Sequence, residues 1–155
     1  MSVTPVTPPG NTGAMARLSE DSTTQDGSTA DRRRRLGVRA EDATARWYRE
    51  AGYDIVARNW RCPIGEIDLV AMTPDRSVAV VCEVKTRSSV AFGWPEEAVT
   101  PAKQRRLRHL ATRWLAQERA SGSGLRSVLF IRFDVASVMG DDGGGLVVDV
   151  VEDAF

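Results

Sequence analysis

Two short segments of the sequence carry carboxylates and a lysine at alternate positions among aliphatic residues. Glu66 and Asp68 lie two residues apart in GEIDLV, and Glu83 and Lys85 have the same spacing in VCEVKTR. If both segments are β-strands, residues two apart share a face and lie about 6.6 Å from each other along the strand. Three acids and one lysine would then project from two strongly apolar strands.

Such a set of side chains suits metal-assisted hydrolysis of a phosphodiester bond. Burying unpaired charge is costly, and a divalent cation offsets that cost for clustered carboxylates. Carboxylate oxygens are suitable ligands for Mg²⁺ or Mn²⁺, whose remaining positions substrate phosphate and water can fill. Asp68 and Glu83 are the predicted metal ligands, with Glu66 or Glu41 assisting. Lys85 is predicted to orient the attacking water and to offset charge on the scissile phosphate.

Other functions for the same residues stay open. Glu83 and Lys85 could form an ion pair on a solvated sheet face, and the other acids could simply occupy the polar positions of an alternating strand. The protein would then be a nucleic-acid-binding module without turnover, whose acids merely pair with Lys85 and Arg87. A glycosidase using two carboxylates is disfavoured, because only 6% of the residues are aromatic and sugar clefts normally carry several.

Composition excludes several other classes of protein. Lys plus Arg is 21 and Asp plus Glu is 21, so the chain lacks the cationic excess of a protein that coats nucleic acid by bulk charge. His109 is the only histidine, and Cys62 and Cys82 are the only cysteines, which excludes multi-histidine metal sites and disulfide scaffolds. No apolar run approaches the ~20 residues that a membrane-spanning helix needs, and no secretory signal is present, so we expect a cytoplasmic protein without a membrane partner.

Hydrophobic periodicity divides the chain into a tail and one domain. Residues 1–30 are rich in Thr, Ser, Pro and Gly and are predicted to be disordered, with Met1 and Met15 both open as the start. Residues 31–155 form the predicted domain. We expect a helix over 32–50, whose apolar stripe is Leu36, Ala40, Ala43 and Trp47, and a second helix over 101–120 with Thr100 as its cap. The apolar stripe of the second helix is Leu107, Leu110, Ala111, Trp114 and Leu115. We also expect a loop over 90–99 and strands over 53–60, 65–72, 77–87, 127–138 and 146–151. The order α-β-β-β-α-β-β predicts a mixed α/β layer.

The second predicted helix carries a basic surface. From residue 100 to residue 117 it contains no acid and five basic residues, which are Lys103, Arg105, Arg106, Arg108 and Arg113. Most of them lie on the polar arc of the helix. One sign of charge on a helix is typical of a phosphate-facing surface. Lys103 lies at the edge of the apolar stripe, where it could turn into a cleft. Arg87 is also predicted to bind nucleic acid, whereas Asp134 is expected to pair with Arg132.

The arrangement of Asp68 and Glu83-Val84-Lys85 resembles the PD-(D/E)xK nuclease signature. Over residues 36–155 the chain also resembles the bacterial YraN-like family, through the segments GVRAEDA, ARNWRCPIGEIDLV, EVKTR, FGWP, RFDV and EDAF. The resemblance implies a restriction-endonuclease-like mixed sheet flanked by helices. It also implies a metal site at Asp68 and Glu83, with Lys85 as the catalytic lysine.

The chain is further similar to archaeal Holliday junction resolvases, in which a glutamate on the first helix joins the site. Glu41 is the matching position, and it lies on the same side of the predicted helix as Tyr48. This similarity implies a Mg²⁺- or Mn²⁺-dependent endonuclease acting on branched or junction DNA, with RNA as the alternative substrate. It also implies a homodimer, because resolvases of similar size work as symmetric dimers.

Overall fold

The order of helices and strands agrees with the predicted order. The computed structural model describes residues 23–87, 99–140 and 144–155. Their elements are α1 (Thr23–Glu50), β1 (Asp54–Cys62), β2 (Gly65–Met72), β3 (Val78–Arg87), α2 (Pro101–Ala120), a 3₁₀ turn (Leu125–Ser127), β4 (Phe130–Gly140) and β5 (Leu146–Val151). The chain is thus a mixed α/β protein. In the described residues no helix is long and apolar enough to cross a membrane.

The five strands form one sheet in sequence order, β1-β2-β3-β4-β5. Neighbouring strands are antiparallel except β3 and β4, which are parallel. Parallel neighbours need a crossover connection, and α2 lies within it. The mixed α/β arrangement that the order of elements predicts is therefore confirmed.

Each face of the sheet is covered by one helix. On one face, α2 packs Leu107, Leu110, Ala111, Trp114 and Leu115 against side chains that include Val81 and Val135. On the other face, Ala45 and Tyr48 of α1 join a cluster that includes Leu69, Val80 and Ala136. The apolar stripe predicted for α2 is thus confirmed in full. Its predicted cap is confirmed as well, because the Lys103 N–H donates to Thr100 Oγ1 over 3.3 Å.

The buried face of α1 differs from the predicted one. The prediction placed Leu36, Ala43 and Trp47 beside Ala40 in the core, but Leu36 is exposed and the other two are half-buried. The fully buried positions are instead Ala40, Thr44, Ala45 and Tyr48. A tyrosine can occupy the core when its hydroxyl finds a partner, which apolar periodicity alone does not register.

Several boundaries also differ from the prediction. α1 begins at Thr23 rather than near residue 32, so the last residues of the predicted tail are helical, whereas residues 1–22 lie outside the described residues. β1 continues to Cys62, and β4 begins only at Phe130 because a 3₁₀ turn precedes it. Of the predicted loop, residues 90–98 lie outside the described part of the chain, and the FGWP segment falls among them.

A buried carboxylate links α1 to the sheet. Asp134 of β4 is fully buried and accepts a 2.7 Å hydrogen bond from the Tyr48 hydroxyl. The Arg132 guanidinium donates to both of its oxygens, over 2.9 and 2.8 Å, and the Asp153 N–H donates over 3.0 Å. Burial raises the pKa of Tyr48, so this hydroxyl stays a donor. The expected pairing of Asp134 with Arg132 is confirmed, and it is a structural one.

We expect Asp134→Ala to lower the free energy of unfolding by about 3–5 kcal/mol, because it leaves the buried Tyr48 hydroxyl without its acceptor and the partly buried Arg132 guanidinium without its buried carboxylate. Glu152→Ala is the matched control, since Glu152 pairs with the same Arg132 over 3.1 Å but is half exposed, and its loss should cost less than about 1 kcal/mol. Urea unfolding followed by circular dichroism measures both values. Equal losses would contradict the central role of Asp134.

Candidate active site where two strands separate

Strands β2 and β3 separate immediately before the predicted acidic residues. Their registered pairs run from Met72 with Ala79 to Leu69 with Cys82. The next pair in the same register would be Asp68 with Glu83, but the ladder has ended there. β3 meanwhile stays paired with β4 as far as Arg87. The acids therefore lie in a fork between β2, which stays paired with β1, and β3, which stays paired with β4.

The side chain of Asp68 bridges this fork. Its Oδ2 accepts a 2.8 Å hydrogen bond from the backbone N–H of Val84. A buried N–H that lacks a ladder partner is costly, and a carboxylate is a strong acceptor for it. The bond fixes the Asp68 carboxylate beside Glu83, the residue that precedes Val84.

Glu83 is almost completely buried yet lies between two lysines. Its side chain is 4% exposed, and Oε1 accepts a 2.7 Å hydrogen bond from Lys85 Nζ. Lys103 Nζ of α2 lies 3.2 Å from Oε2, within ion-pair distance, but Oε2 has no partner in hydrogen-bond geometry. The expectation that Lys103 turns into a cleft thus agrees with its position.

Burial and the neighbouring charges raise the pKa of Asp68 to about 6. Burial is the largest cause, followed by the negative charge of Glu83, and the negative charge of Glu41 acts in the same direction. The hydrogen bond from Val84 and the positive charge of Lys103 oppose the shift. The structure thus brings Asp68, Glu83, Glu41 and both lysines into one electrostatic neighbourhood.

Glu41 reaches this neighbourhood from α1 with the help of a residue that the sequence analysis missed. It precedes Thr44, Ala45 and Tyr48 by three, four and seven residues, so it lies on the sheet-facing side of the helix. Asn59 of β1 donates a 2.6 Å hydrogen bond from Nδ2 to Glu41 Oε2. Asn59 has φ 50°, a left-handed conformation that asparagine tolerates better than most residues. An asparagine within a predicted strand was the available signal.

The structure places Glu66, the other predicted acid of β2, in a separate ion pair. Its Oε2 pairs with Arg61 Nε over 3.0 Å across the β1–β2 hairpin, and both side chains are largely exposed. Strand β2 itself was predicted correctly. The two-residue spacing of Glu66 and Asp68, however, does not reveal that Arg61 of the neighbouring strand pairs with Glu66. Among the described residues, no group of three or more His, Cys, Asp or Glu side chains is arranged to hold a metal ion.

The predicted basic residues of α2 do not form one uniform surface. Arg106 donates from Nε to the Ile64 carbonyl over 2.8 Å, and Arg108 lies over the Phe155 ring at 5.3 Å and the Phe133 ring at 5.8 Å. Arg105 and Arg113 are exposed, and Arg87 is half-buried at the end of β3. Three of the five helix cations, counting Lys103, therefore have contacts within the fold.

Comparison with known proteins identifies the family. A family model described as "Uncharacterised protein family UPF0102" matches residues 40–138. The chain belongs to this family. The UPF0102 protein of Rhodococcus jostii is 48% identical over 120 residues, which cover 77% of this chain and 95% of the relative. The relative from Nocardia farcinica is 44% identical over 120 residues, covering 77% and 88%, and that from Acidothermus cellulolyticus is 42% identical over 131 residues, covering 82% and 98%.

This assignment confirms the resemblance to the YraN-like family. The UPF0102 match begins at Ala40 and ends at Val138, so it includes Glu41, Asn59 and all the residues of the fork. The nuclease signature and its implied chemistry are a separate matter, because the relatives carry only the family name.

The raised pKa of Asp68 has a consequence for stability. The folded protein holds a proton on Asp68 up to a pH of about 6, whereas the unfolded chain releases it near its ordinary value of 3.8. The folded state therefore binds more protons between these values, and its stability falls as the pH rises through them. In metal-free buffer we expect Asp68→Asn to be more stable than the wild type at pH 7 by about 1–3 kcal/mol.

Thermal or urea unfolding between pH 4 and pH 7.5 measures this effect. The advantage of Asp68→Asn should shrink as the pH falls below the folded pKa. Asp54→Asn is the matched control, because Asp54 is an exposed strand acid whose partner, Arg76, is exposed as well. An Asp68→Asn protein less stable than wild type at every pH would contradict the proposed crowding of carboxylates.

Proposed function

We propose that this protein is a metal-dependent nuclease of restriction-endonuclease-like fold that hydrolyses phosphodiester bonds in DNA. The observation that carries this proposal is the fork itself. There the Val84 N–H holds the Asp68 carboxylate beside Glu83, and Lys85 lies 2.7 Å from that glutamate. The order of elements, with a crossover helix between two parallel strands, is compatible with that fold and supports it.

The residues of the fork fit a Mg²⁺ or Mn²⁺ ion. Asp68 and Glu83 repel each other, and Oε2 of Glu83 is buried without a hydrogen bond. A divalent cation would relieve both conditions. Mg²⁺ commonly uses one or two protein carboxylates and completes its shell with water and substrate phosphate, so a third acid is unnecessary. Asp68 and Glu83 would hold the ion, which when bound would stabilise negative charge on the phosphate and acidify a water.

The remaining side chains have roles that follow from their charges. Lys85 is about one-third exposed, and its ammonium has three donors, of which one is used by Glu83. It can therefore donate to an attacking water or to a phosphate oxygen and favour the ionised form of that water. Glu41, which Asn59 holds in place, can accept a proton or a hydrogen bond from a water at the edge of the fork. The positive charge of Lys103 partly offsets the negative charge of Glu83.

A non-catalytic nucleic-acid-binding protein is the second candidate function. One specific observation favours it: Glu83 already has two lysine partners, so its charge is compensated within the protein. The substrate class within the first proposal is branched or junction DNA, by analogy with junction resolvases, with RNA as the alternative. A homodimer acting in the cytoplasm is the corresponding assembly.

A metal titration separates the two candidates. We expect Mn²⁺ to raise the melting temperature of the wild type, because an ion that binds the folded state alone stabilises it by mass action. Asp68→Ala should abolish the increase, whereas the matched control Glu66→Ala should keep it, since Glu66 is an acid of the same strand that forms an exposed pair with Arg61. Differential scanning fluorimetry with and without Mn²⁺ measures each shift. An equal increase in all three proteins would refute a metal site at Asp68.

A cleavage assay tests the catalytic role of Lys85. Linear, flapped and four-way DNA substrates are incubated with Mg²⁺ or Mn²⁺, and products are resolved by gel electrophoresis. We expect Lys85→Ala to keep the Mn²⁺-induced stabilisation but to lose about 10²-fold or more in cleavage rate, as when a positioned proton-transfer group is removed. Equal cleavage by wild type and Lys85→Ala would indicate a contaminating nuclease and would remove the support for catalysis.

A further inference from the structure

An open pocket of about 410 Å³ lies between the β1–β2 hairpin and the start of α2. We call it the hairpin pocket, and it is lined by Arg61, Cys62, Gly65, Glu66, Lys103 and Arg106. Three of these residues are cations and one is an acid. The charge of the lining therefore favours an anionic ligand.

Arg106 is held in place before any ligand arrives. Its Nε donates to the Ile64 carbonyl in the hairpin turn over 2.8 Å. The guanidinium also occupies the space beside Gly65, where an added Cβ would lie 2.8 Å from two of its nitrogens. A side chain at this position would displace the guanidinium, and the φ of 146° at Gly65 disfavours residues other than glycine. The two terminal nitrogens of Arg106 make no hydrogen bond with the described residues, so they can donate to an anion.

Lys103 connects the hairpin pocket to the fork. It lines the pocket, and its Nζ also lies 3.2 Å from Oε2 of Glu83. A ligand that contacts Lys103 in the pocket is therefore next to the group that would bind a phosphodiester under the proposed function. A polynucleotide presents regularly spaced phosphates, so neighbouring phosphates could occupy the two places at once.

Glu66 acts against such a ligand. Among the described residues of the lining it is the one acid, and it pairs with Arg61 over 3.0 Å. This pair is exposed, so the ionic attraction within it is weak and Arg61 can exchange its partner for a phosphate at little cost. A pocket that merely stabilised the hairpin would gain from Glu66, whereas an anion site is weakened by it.

We propose that the hairpin pocket binds a backbone phosphate of a nucleic acid, next to the phosphodiester held at Asp68 and Glu83. Arg106 and Lys103 are the main donors and Arg61 assists. This inference rests on the proposed function for the position of the second phosphodiester, but binding in the pocket needs neither metal nor cleavage. It can therefore be tested by itself.

The test is binding of a fluorescein-labelled four-way DNA junction in EDTA, followed by fluorescence anisotropy over a range of salt concentrations. We expect Arg106→Gln to weaken binding about tenfold and to reduce the slope of log Kd against log salt by about one, as for the loss of one phosphate contact. Arg106→Lys keeps the charge but loses the planar donors, so it should keep most of the slope with reduced affinity. Thermal melting checks that each variant is folded.

Two further variants make the outcome specific. Glu66→Gln should tighten binding about threefold, because it removes the repelling charge and releases Arg61. Arg49→Gln is the matched control, since it removes one exposed cation from the last turn of α1, near the start of β1 rather than its end. It should change neither affinity nor slope measurably. Equal losses for Arg49→Gln and Arg106→Gln, or weaker binding by Glu66→Gln, would overturn the proposal.

The remaining outcomes also decide the question. If the wild type does not bind the junction in EDTA, the hairpin pocket is not a nucleic-acid phosphate site, whatever the cleavage assay gives. If isothermal titration calorimetry shows that inorganic phosphate or a mononucleotide binds at low concentration while polymeric DNA does not bind, the pocket takes a small anion and the inference is overturned. If binding depends on Arg106 as expected but no cleavage occurs with Mn²⁺, the proposed catalysis fails and the pocket stands.

Discussion

The hydrogen bond between the Val84 N–H and the Asp68 carboxylate is the constraint on which the candidate site depends. Sheets normally satisfy their backbone groups with neighbouring strands, and β3 does so with β4 along its whole length. On the other side the pairing with β2 ends at Leu69 and Cys82, and an acidic side chain of β2 supplies the acceptor that its backbone no longer gives. The same bond that completes the sheet thus positions a carboxylate beside Glu83.

The charges of the site are balanced across three elements. Acids come from α1, β2 and β3, and the lysines come from β3 and α2. Bringing Asp68 close to Glu83 costs stability, as its raised pKa indicates, whereas the contacts of Lys85 and Lys103 with Glu83 reduce that cost. Such a compromise is typical of functional sites, where groups are kept close despite unfavourable interactions. The Asp134 network has no such conflict, because its donors fully satisfy one buried acid.

The sequence predicted the local structure well where one periodicity dominated. The apolar stripe of α2 and strand β2 agree with the structure to the residue. For α1 the rule failed, because Tyr48 is buried through a hydrogen bond to Asp134, a residue far away in sequence. Asp68, Glu83 and Lys85 could be selected from spacing, whereas Asn59 and the separate pairing of Glu66 could not. Those two depend on how β1 lies against α1 and β2, which spacing along one strand does not reveal.

The amide of Val84 is a natural spectroscopic probe of the site. Its proton is held by a side chain rather than by the sheet ladder, so its chemical shift and its isotope exchange depend on the state of one carboxylate. Any event that draws the negative charge of Asp68 elsewhere would weaken this bond and leave the neighbouring ladder amides of β3 unchanged. Occupancy of the fork can therefore be read from a single backbone resonance, without turnover and without a label at the site.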